Sequence, residues 1–260
     1  MNHNRLSLLV LALIALCAIV AQSPSVAAQD HAIVQPRRVV LLRSRKETSG
    51  ALGRGKAIVR YPIIRGLSDA AVLRKIQTTL SIKNVFDSTL AEYRQDSWLT
   101  DFDYKVNYNT NYLLDITFTQ SGMGAYPDTQ TKHFLISLRT GTVVKAADAF
   151  NSDALANLAT MANQKLKVET RKIVRDLESD KETSADEKSA LKDQLEQLKF
   201  ERENLDEFSV SDKGVTFLYD AGFPHVIKAL EPDGRYFFSY AALRTYIKRS
   251  GPLGVFIAKT

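Results

Sequence analysis

Two blocks of strand-like alternation, separated by a long stretch of helical periodicity, constrain what this chain can fold into more than any other feature. In 104–109, Tyr104, Val106 and Tyr108 point one way and Lys105, Asn107 and Asn109 the other, the period of a half-buried strand. Asn109-Thr110-Asn111 is turn chemistry, because Asn tolerates the left-handed region. A second strand is predicted over 112–119. A loop over 120–132 then leads to a third strand at 133–138, and Thr140-Gly141 turns the chain into a short strand at 142–145. Over 153–205 the period changes. Leu155, Leu158, Ala162, Leu166, Ile173 and Leu177 recur at helical spacing, and Ser184 with Glu187 forms a capping box for a second helix. Leu191, Leu195, Leu198 and Leu205 mark that helix with a narrow stripe, shorter than the roughly three or four heptads that identify a coiled coil, so a hairpin is expected and a coiled-coil dimer is the alternative. Strand signals return at 208–210, 215–219 and 236–239, with Gly214 at a hairpin bend and a closing helix over 240–248. Strands and helices come in blocks rather than in alternation, so the expected class is α+β. The expected architecture is an antiparallel sheet with packed helices and an inserted long helical hairpin.

Ahead of the meander, residues 29–37 read as a short mobile leader. Short strands at 39–42 and 57–61, the latter closed by Pro62, flank a basic loop over 44–56 containing Gly50, Gly53 and Gly55. Ser68 is placed to cap a helix. The apolar face of that helix (Val72, Leu73, Ile76, Leu80, Val85) runs to about residue 93, with 82–85 able to interrupt it.

The first 28 residues have the three parts of a secretory signal peptide. Arg5 supplies the charge, 6–21 the apolar run, and Val26-Ala27-Ala28 the small-residue cleavage site. The run is shorter than the roughly 20 residues that span a bilayer, and no second one follows, so no anchor is expected after cleavage. Cys17 is the sole cysteine; it lies inside the run, and Leu16 occupies the place where lipidation wants a small residue. The mature chain is expected without cysteine, secreted or periplasmic, and held by an ordinary core. The chain divides into the signal (1–28), a basic leader with a strand and loop (29–56), an N-terminal α+β part (57–152), the helical hairpin (153–207) and a strand-helix part that completes the domain (208–260).

Mature Lys and Arg number 34 against 29 acids, a net of +5. The distribution is uneven: 31–76 holds eleven basic residues against Glu47 and Asp69, whereas 151–207 holds ten basic and fourteen acidic ones. A basic segment on an exported chain points to anionic envelope polymers or lipid headgroups or, more simply, to a solvated loop and pairing with the acidic helices. Nucleic acid is not an expected partner outside the cell.

No motif in the chain calls for a cofactor or a metal. The mature histidines His31, His133 and His225 share no metal-ligand spacing. His133 opens a strand and reads as structural, while His225 follows a turn, Gly222-Phe223-Pro224. Asp101, Asp103, Asp115 and Asp128 are carboxylates of the kind that glycoside hydrolysis uses in pairs, but strand-end acids are ordinarily solvated, and no catalytic residue is assigned. Tyr104, Tyr108, Tyr112 and Tyr126, with Trp98, gather aromatic residues around the meander. The 122–128 loop, with Tyr126-Pro127-Asp128 beside glycine, reads as an exposed recognition loop. The candidate ligand-binding residues are therefore Arg37, Arg38, Arg43, Arg45, Lys46, Tyr126, Asp128 and His225.

Several stretches together resemble a known family. They are Ala57-Ile58-Val59-Arg60-Tyr61-Pro62 with Gly66-Leu67, the strand pair over 104–118, and Gly124-Ala125-Tyr126-Pro127-Asp128. Leu138-Arg139-Thr140-Gly141, Ala149-Phe150 and the closing 208–219 and 237–247 segments complete the set. Over roughly 55–250 the chain is similar to the RsiV-like extracytoplasmic domain, which also occurs beside peptidoglycan deacetylase domains and on an anti-sigma factor that senses lysozyme. The resemblance implies an α+β domain that binds or senses at the envelope. An anionic glycan is the expected ligand; capture of a lysozyme-like hydrolase is the alternative, and glycan hydrolysis a third reading. Nothing in the chain fixes an oligomeric state. Export with cleavage after Ala28 is checked by intact mass of the secreted protein, with Gln29 expected as its first residue.

Overall fold

A computed structural model describes residues 30–43, 55–95, 98–124 and 126–258. The signal segment, Arg45 and Lys46 lie outside the described residues. The fold is α+β, with a five-stranded sheet in the order β1-β2-β3-β4-β5 and a three-stranded sheet in the order β6-β7-β8.

β1 (Ile33–Leu42) and β2 (Lys56–Arg65) pair antiparallel along their whole length. Most of the expected leader is therefore strand, and β2 continues through Pro62. The physical reason is that Pro36 sits directly opposite Pro62. Neither proline can donate to the ladder, so the two share a non-hydrogen-bonded position, where both N–H groups would face away from the partner strand. Arg43 closes this pair through its N–H to the Gly55 carbonyl at 3.0 Å.

The helix expected from Ser68 to about residue 93 is three short ones: α1 (Ala70–Thr79), α2 (Ile82–Phe86) and α3 (Leu90–Gln95). Asp69, rather than Ser68, caps α1, its carboxylate accepting from the Ala71 and Val72 N–H groups. Ser81 breaks the run by capping α2. These helices carry the chain from β2 to its parallel neighbour β3 (Leu99–Thr110).

From β3 the meander follows as expected through β4 (Leu113–Met123) and β5 (Pro127–Ser137), but the 120–132 loop is absent. Gly122 pairs with Asp128 and Met123 with Pro127, so the loop is the end of one long hairpin. Glycine at 122 permits this, because a Cβ there would overlap the Trp98 indole. The predicted strand at 142–145 reduces to a single bridge between Val143 and Ile136. Gly141 makes the turn at φ +73°.

The helical hairpin is present as α5 (Leu155–Ser179) and α6 (Ala185–Gln197), with the Ser184–Glu187 capping box formed. α6 is shorter than the apolar stripe implied, and Leu195 is its one buried residue. β6 (Phe208–Ser211), β7 (Gly214–Leu218) and β8 (Arg235–Ser239) form the second sheet, and α7 (Tyr240–Leu243) and α8 (Gly254–Ile257) follow.

The hydrophobic interior has two parts. One face of the five-stranded sheet packs Phe102, Ile116, Phe118 and Ile136 against α1–α3. On the opposite face Tyr108, Leu113 and Leu135 join the second sheet and α5. The pattern along β4 records this: its first four residues are all buried, and beyond them burial alternates. The second sheet thus covers only one end of that face.

Asp115 sits at the junction and is fully buried. Its Oδ1 accepts from Asn107 Nδ2 at 2.7 Å and from His133 Nε2 at 2.8 Å. Its Oδ2 accepts from Ser209 Oγ and the Val210 N–H, both at 2.7 Å. Burial alone would raise this carboxyl, but the hydrogen bonds led by His133 outweigh it and hold the pKa below the ordinary 3.8. A group with a depressed native pKa contributes stability above its unfolded value and loses it as pH falls through the native one. Stability should therefore fall below about pH 4 (ordinary value 3.8), and Asp115→Asn should make that acid limb shallower. Asp115→Ala, which strands buried donors from both sheets, should cost about 3 kcal/mol or more in urea unfolding near neutral pH.

Candidate functional site

The sequence candidates fall into three groups. Arg43 is not a surface cation, which corrects its place among the ligand-binding candidates. Its side chain is buried, and Nη2 donates to the Tyr93 carbonyl at 3.1 Å and the Leu99 carbonyl at 2.8 Å. A guanidinium that satisfies backbone carbonyls inside the protein ties β1 to the α3–β3 connection. The Tyr93 hydroxyl donates in turn to Gln120 Oε1 at 2.6 Å, and Gln120 to Gln130 Oε1 at 2.7 Å.

Arg37 and Arg38 are exposed on β1, the edge strand farthest from β5. Arg37 lies 5.9 Å from the centroid of the Tyr61 ring. Arg38 starts a row across the sheet: it pairs with Arg60, which forms an ion pair with Asp103, opposite Thr119, opposite Thr131. The neighbouring row holds Asp101, Ser121 and Thr129. This is the part of the sheet face that the second sheet leaves open, and it is lined by hydroxyls and charges.

Tyr126, Asp128 and His225 do come together. The Tyr126 side chain is 62% exposed at the β4–β5 tip. It stacks on His225 with ring centroids 4.9 Å apart and planes at 23°. His225 opens a 3₁₀ segment, His225–Leu230, carried on a loop that Gly222 turns at φ +68° and the buried Phe223 anchors. Asp128 is exposed, accepts from the Thr129 N–H at 2.8 Å, and lies within electrostatic reach of Lys228. Lys228 is held above its ordinary pKa first by its hydrogen bond to Glu231, 2.5 Å away. Four strand widths, about 19 Å at 4.8 Å each, separate this tip from β1.

The four aspartates share no cleft. Asp115 is in the interior and Asp128 at the tip. Asp101 and Asp103 are neighbours on the open face, where burial and then the Asp103 charge raise the Asp101 carboxyl. His133 is the inward partner of Asp115. Among the described residues no group of three or more His, Cys, Asp or Glu is placed to hold a metal, and no helix is long and apolar enough to cross a membrane.

Sequence reasoning missed the Asp115 cluster and the stacking of Arg139 on Tyr112, its guanidinium carbon 3.8 Å from the ring centroid. A clue to the first was an acid in the middle of an otherwise apolar and hydroxyl-bearing strand. The second joins residues brought together only by the fold.

The chain matches no family model and no curated protein. Two solved structures share its fold. A DUF3298 protein from Bacteroides fragilis NCTC 9343 superposes with a TM-score of 0.53 at 12% identity, over 89% of this chain and all of that one. A second, from Pseudomonas aeruginosa PAO1, gives 0.51 at 13% identity, over 84% of this chain and 94% of that one. Both carry an uncharacterised domain. At this identity the likeness establishes the fold.

Arg43→Met should lower stability by about 1–3 kcal/mol in urea unfolding, because two buried carbonyls lose a charged donor. Arg37→Gln, on the exposed edge, should stay within about 0.5 kcal/mol of the parent.

Proposed function

We propose that this protein is an exported, non-enzymatic binding domain of the cell envelope whose ligand is an anionic glycan. The observation that carries this reading is the exposed Tyr126 ring stacked on His225. Side chains that pack against each other while staying in water form a pre-ordered flat surface, and the apolar face of a sugar ring packs against such surfaces. Pre-ordering lowers the entropy lost on binding. Asp128 and Lys228 beside the pair supply groups that fix orientation. The open sheet face extends the surface with Arg38, Arg60, Thr119 and Thr131, whose polar groups lie in one row across the strands and can hydrogen-bond a polymer of hydroxyls. The excess of cations over 31–76 supplies long-range attraction for the anion. Arg37, Arg38, Arg45 and Lys46 serve this role; Arg43 serves the fold.

A second reading is favoured by a groove of about 830 Å³ between the helical hairpin and the 225–230 segment. Leu177, Leu191 and Leu230 line it, Asp176 and Glu187 make it acidic, and Val226 at its edge is 83% exposed. An apolar floor beside carboxylates suits a basic protein, such as the lysozyme-like hydrolase that the family resemblance implies.

Co-sedimentation with peptidoglycan sacculi tests the first reading. Binding should weaken with salt, since exposed charges are screened beyond about 8–10 Å at physiological ionic strength. Tyr126→Ala combined with His225→Ala should weaken it roughly tenfold, the equivalent of about 1.4 kcal/mol. Arg37→Gln with Arg38→Gln should flatten the salt dependence. Unchanged pelleting of the Tyr126/His225 variant would overturn the site. Failure of the parent to pellet, together with a lysozyme complex lost on Asp176→Asn and Val226→Ser, would replace the first reading by the second.

A further inference from the structure

A separate cleft of about 630 Å³ opens where the β3–β4 turn, the turn after β5 and the C-terminal segment meet. That volume falls within the range of small-molecule sites, about 300–1,000 Å³. We propose that this cleft binds a small carboxylate, with Arg139 as its anchor. The inference stands independently of the hairpin tip and of the sheet face.

The charge balance of the lining selects the ligand class. Arg139 and Lys248 both line the cleft, and neither forms an ion pair among the described residues. Asp148 is the one acid in the lining, and its Oδ2 already accepts from the Lys145 N–H at 2.9 Å. Two cations against one committed carboxylate leave an excess of a single positive charge, which suits a monovalent anion better than a phosphate dianion. The Thr140, Thr142 and Ser250 hydroxyls add hydrogen-bonding groups, and Leu113, Val144 and Val255 offer an apolar wall to the body of the ligand.

The geometry orients the anchor. The guanidinium of Arg139 lies over the Tyr112 ring at 3.8 Å. Stacking fixes the guanidinium plane, and its edge carries paired N–H groups matched to a carboxylate. Lys248 is positioned through its own backbone, whose N–H donates to the Ala149 carbonyl at 2.9 Å. The cleft wall is tight at Gly251, where a Cβ would overlap the Asp148 carbonyl.

Tyr112 is itself an anomaly that the ligand site explains. Asn111 and Tyr112 have φ of +53° and +60°, a two-residue hairpin turn whose second place normally takes glycine. A bulky aromatic residue in the left-handed region is an outlier. It is held there by its N–H to the Asp30 carbonyl at 2.7 Å and by the Leu138 N–H to its own carbonyl at 2.8 Å. Glycine would make the turn with less strain but would leave Arg139 without its platform. Strain retained beside a cleft is the pattern of a functional position.

The test titrates the protein with N-acetyl-alanyl-alanine, its C-terminal amide, butyrate and inorganic phosphate. Backbone amide shifts at Gly141, Thr142 and Gly251 are followed by NMR. Saturable shifts with the free acid and not with the amide are expected. Equal binding of butyrate identifies a free acid as sufficient, whereas binding of the peptide acid alone identifies a chain end; either supports the carboxylate site. Arg139→Gln should weaken binding roughly tenfold or more. Tyr112→Gly should melt no lower than the parent yet bind more weakly. The proposal is overturned if the amide binds as well as the acid, if phosphate binds more tightly, if neither acid shifts these amides, or if Arg139→Gln or Tyr112→Gly binds like the parent.

Discussion

A carboxylate removed from water has to be met by donors, and Asp115 meets four of them from three other strands. Asn107 comes from β3, His133 from β5, and Ser209 with Val210 from β6. The β6 donors lie about 95 residues away in sequence (separations of 94 and 95), so the second sheet is docked to the first by a directional interaction as well as by apolar packing. Hydrophobic contact alone tolerates sliding; a buried charge with four fixed donors does not. The Tyr108 side chain lies beside it in the shared core, and the bulge between Val106 and Tyr108 turns Asn107 toward Asp115.

Docking at one end of the sheet leaves the other end of that face in water. The same geometry that buries Leu113 and Asp115 exposes the rows holding Arg60, Thr119, Thr131 and Ser121, and it carries the 219–234 segment to the β4–β5 tip. His225 reaches Tyr126 because β6–β8 are fixed where they are. The junction also creates the cleft beside Tyr112 and Arg139, since turns from the first sheet meet the chain end that follows the second. Both candidate surfaces are thus consequences of one offset between two sheets.

Much of the local structure was legible in the chain. Alternation at 104–109 marked β3, the Ser184–Glu187 pair marked the start of α6, and Thr140-Gly141 marked a turn, because each rests on neighbours within a few residues. The errors share a cause. The strand over Ile33–Leu42 contains a proline and few buried side chains, so its pairing depends on a partner about twenty residues on (Val39↔Val59). The 120–132 stretch looks like a loop from its Ser, Gly, Thr and Gln content, yet hydroxyl-bearing residues pair well on an open sheet face. For the site, Tyr126 and His225 were singled out separately, each for its exposed turn, but their stacking was not readable. A basic run carries no sign of which side chain turns inward, so from sequence Arg43 reads as an exposed cation like its neighbours.

The class of fold, the helical hairpin, the meander and the uneven charge that makes 31–76 basic can all be read from the chain before it folds. These depend on periodicity, capping and composition, which are local properties of the chain. Tertiary structure alone decided that Asp115 is an interior hub rather than a solvated acid, that Arg43 serves backbone carbonyls, and that Tyr126 meets His225 and Arg139 meets Tyr112. Those outcomes depend on which distant segments are brought within hydrogen-bonding or stacking distance. That is set by how two sheets pack, and no short window of residues encodes it.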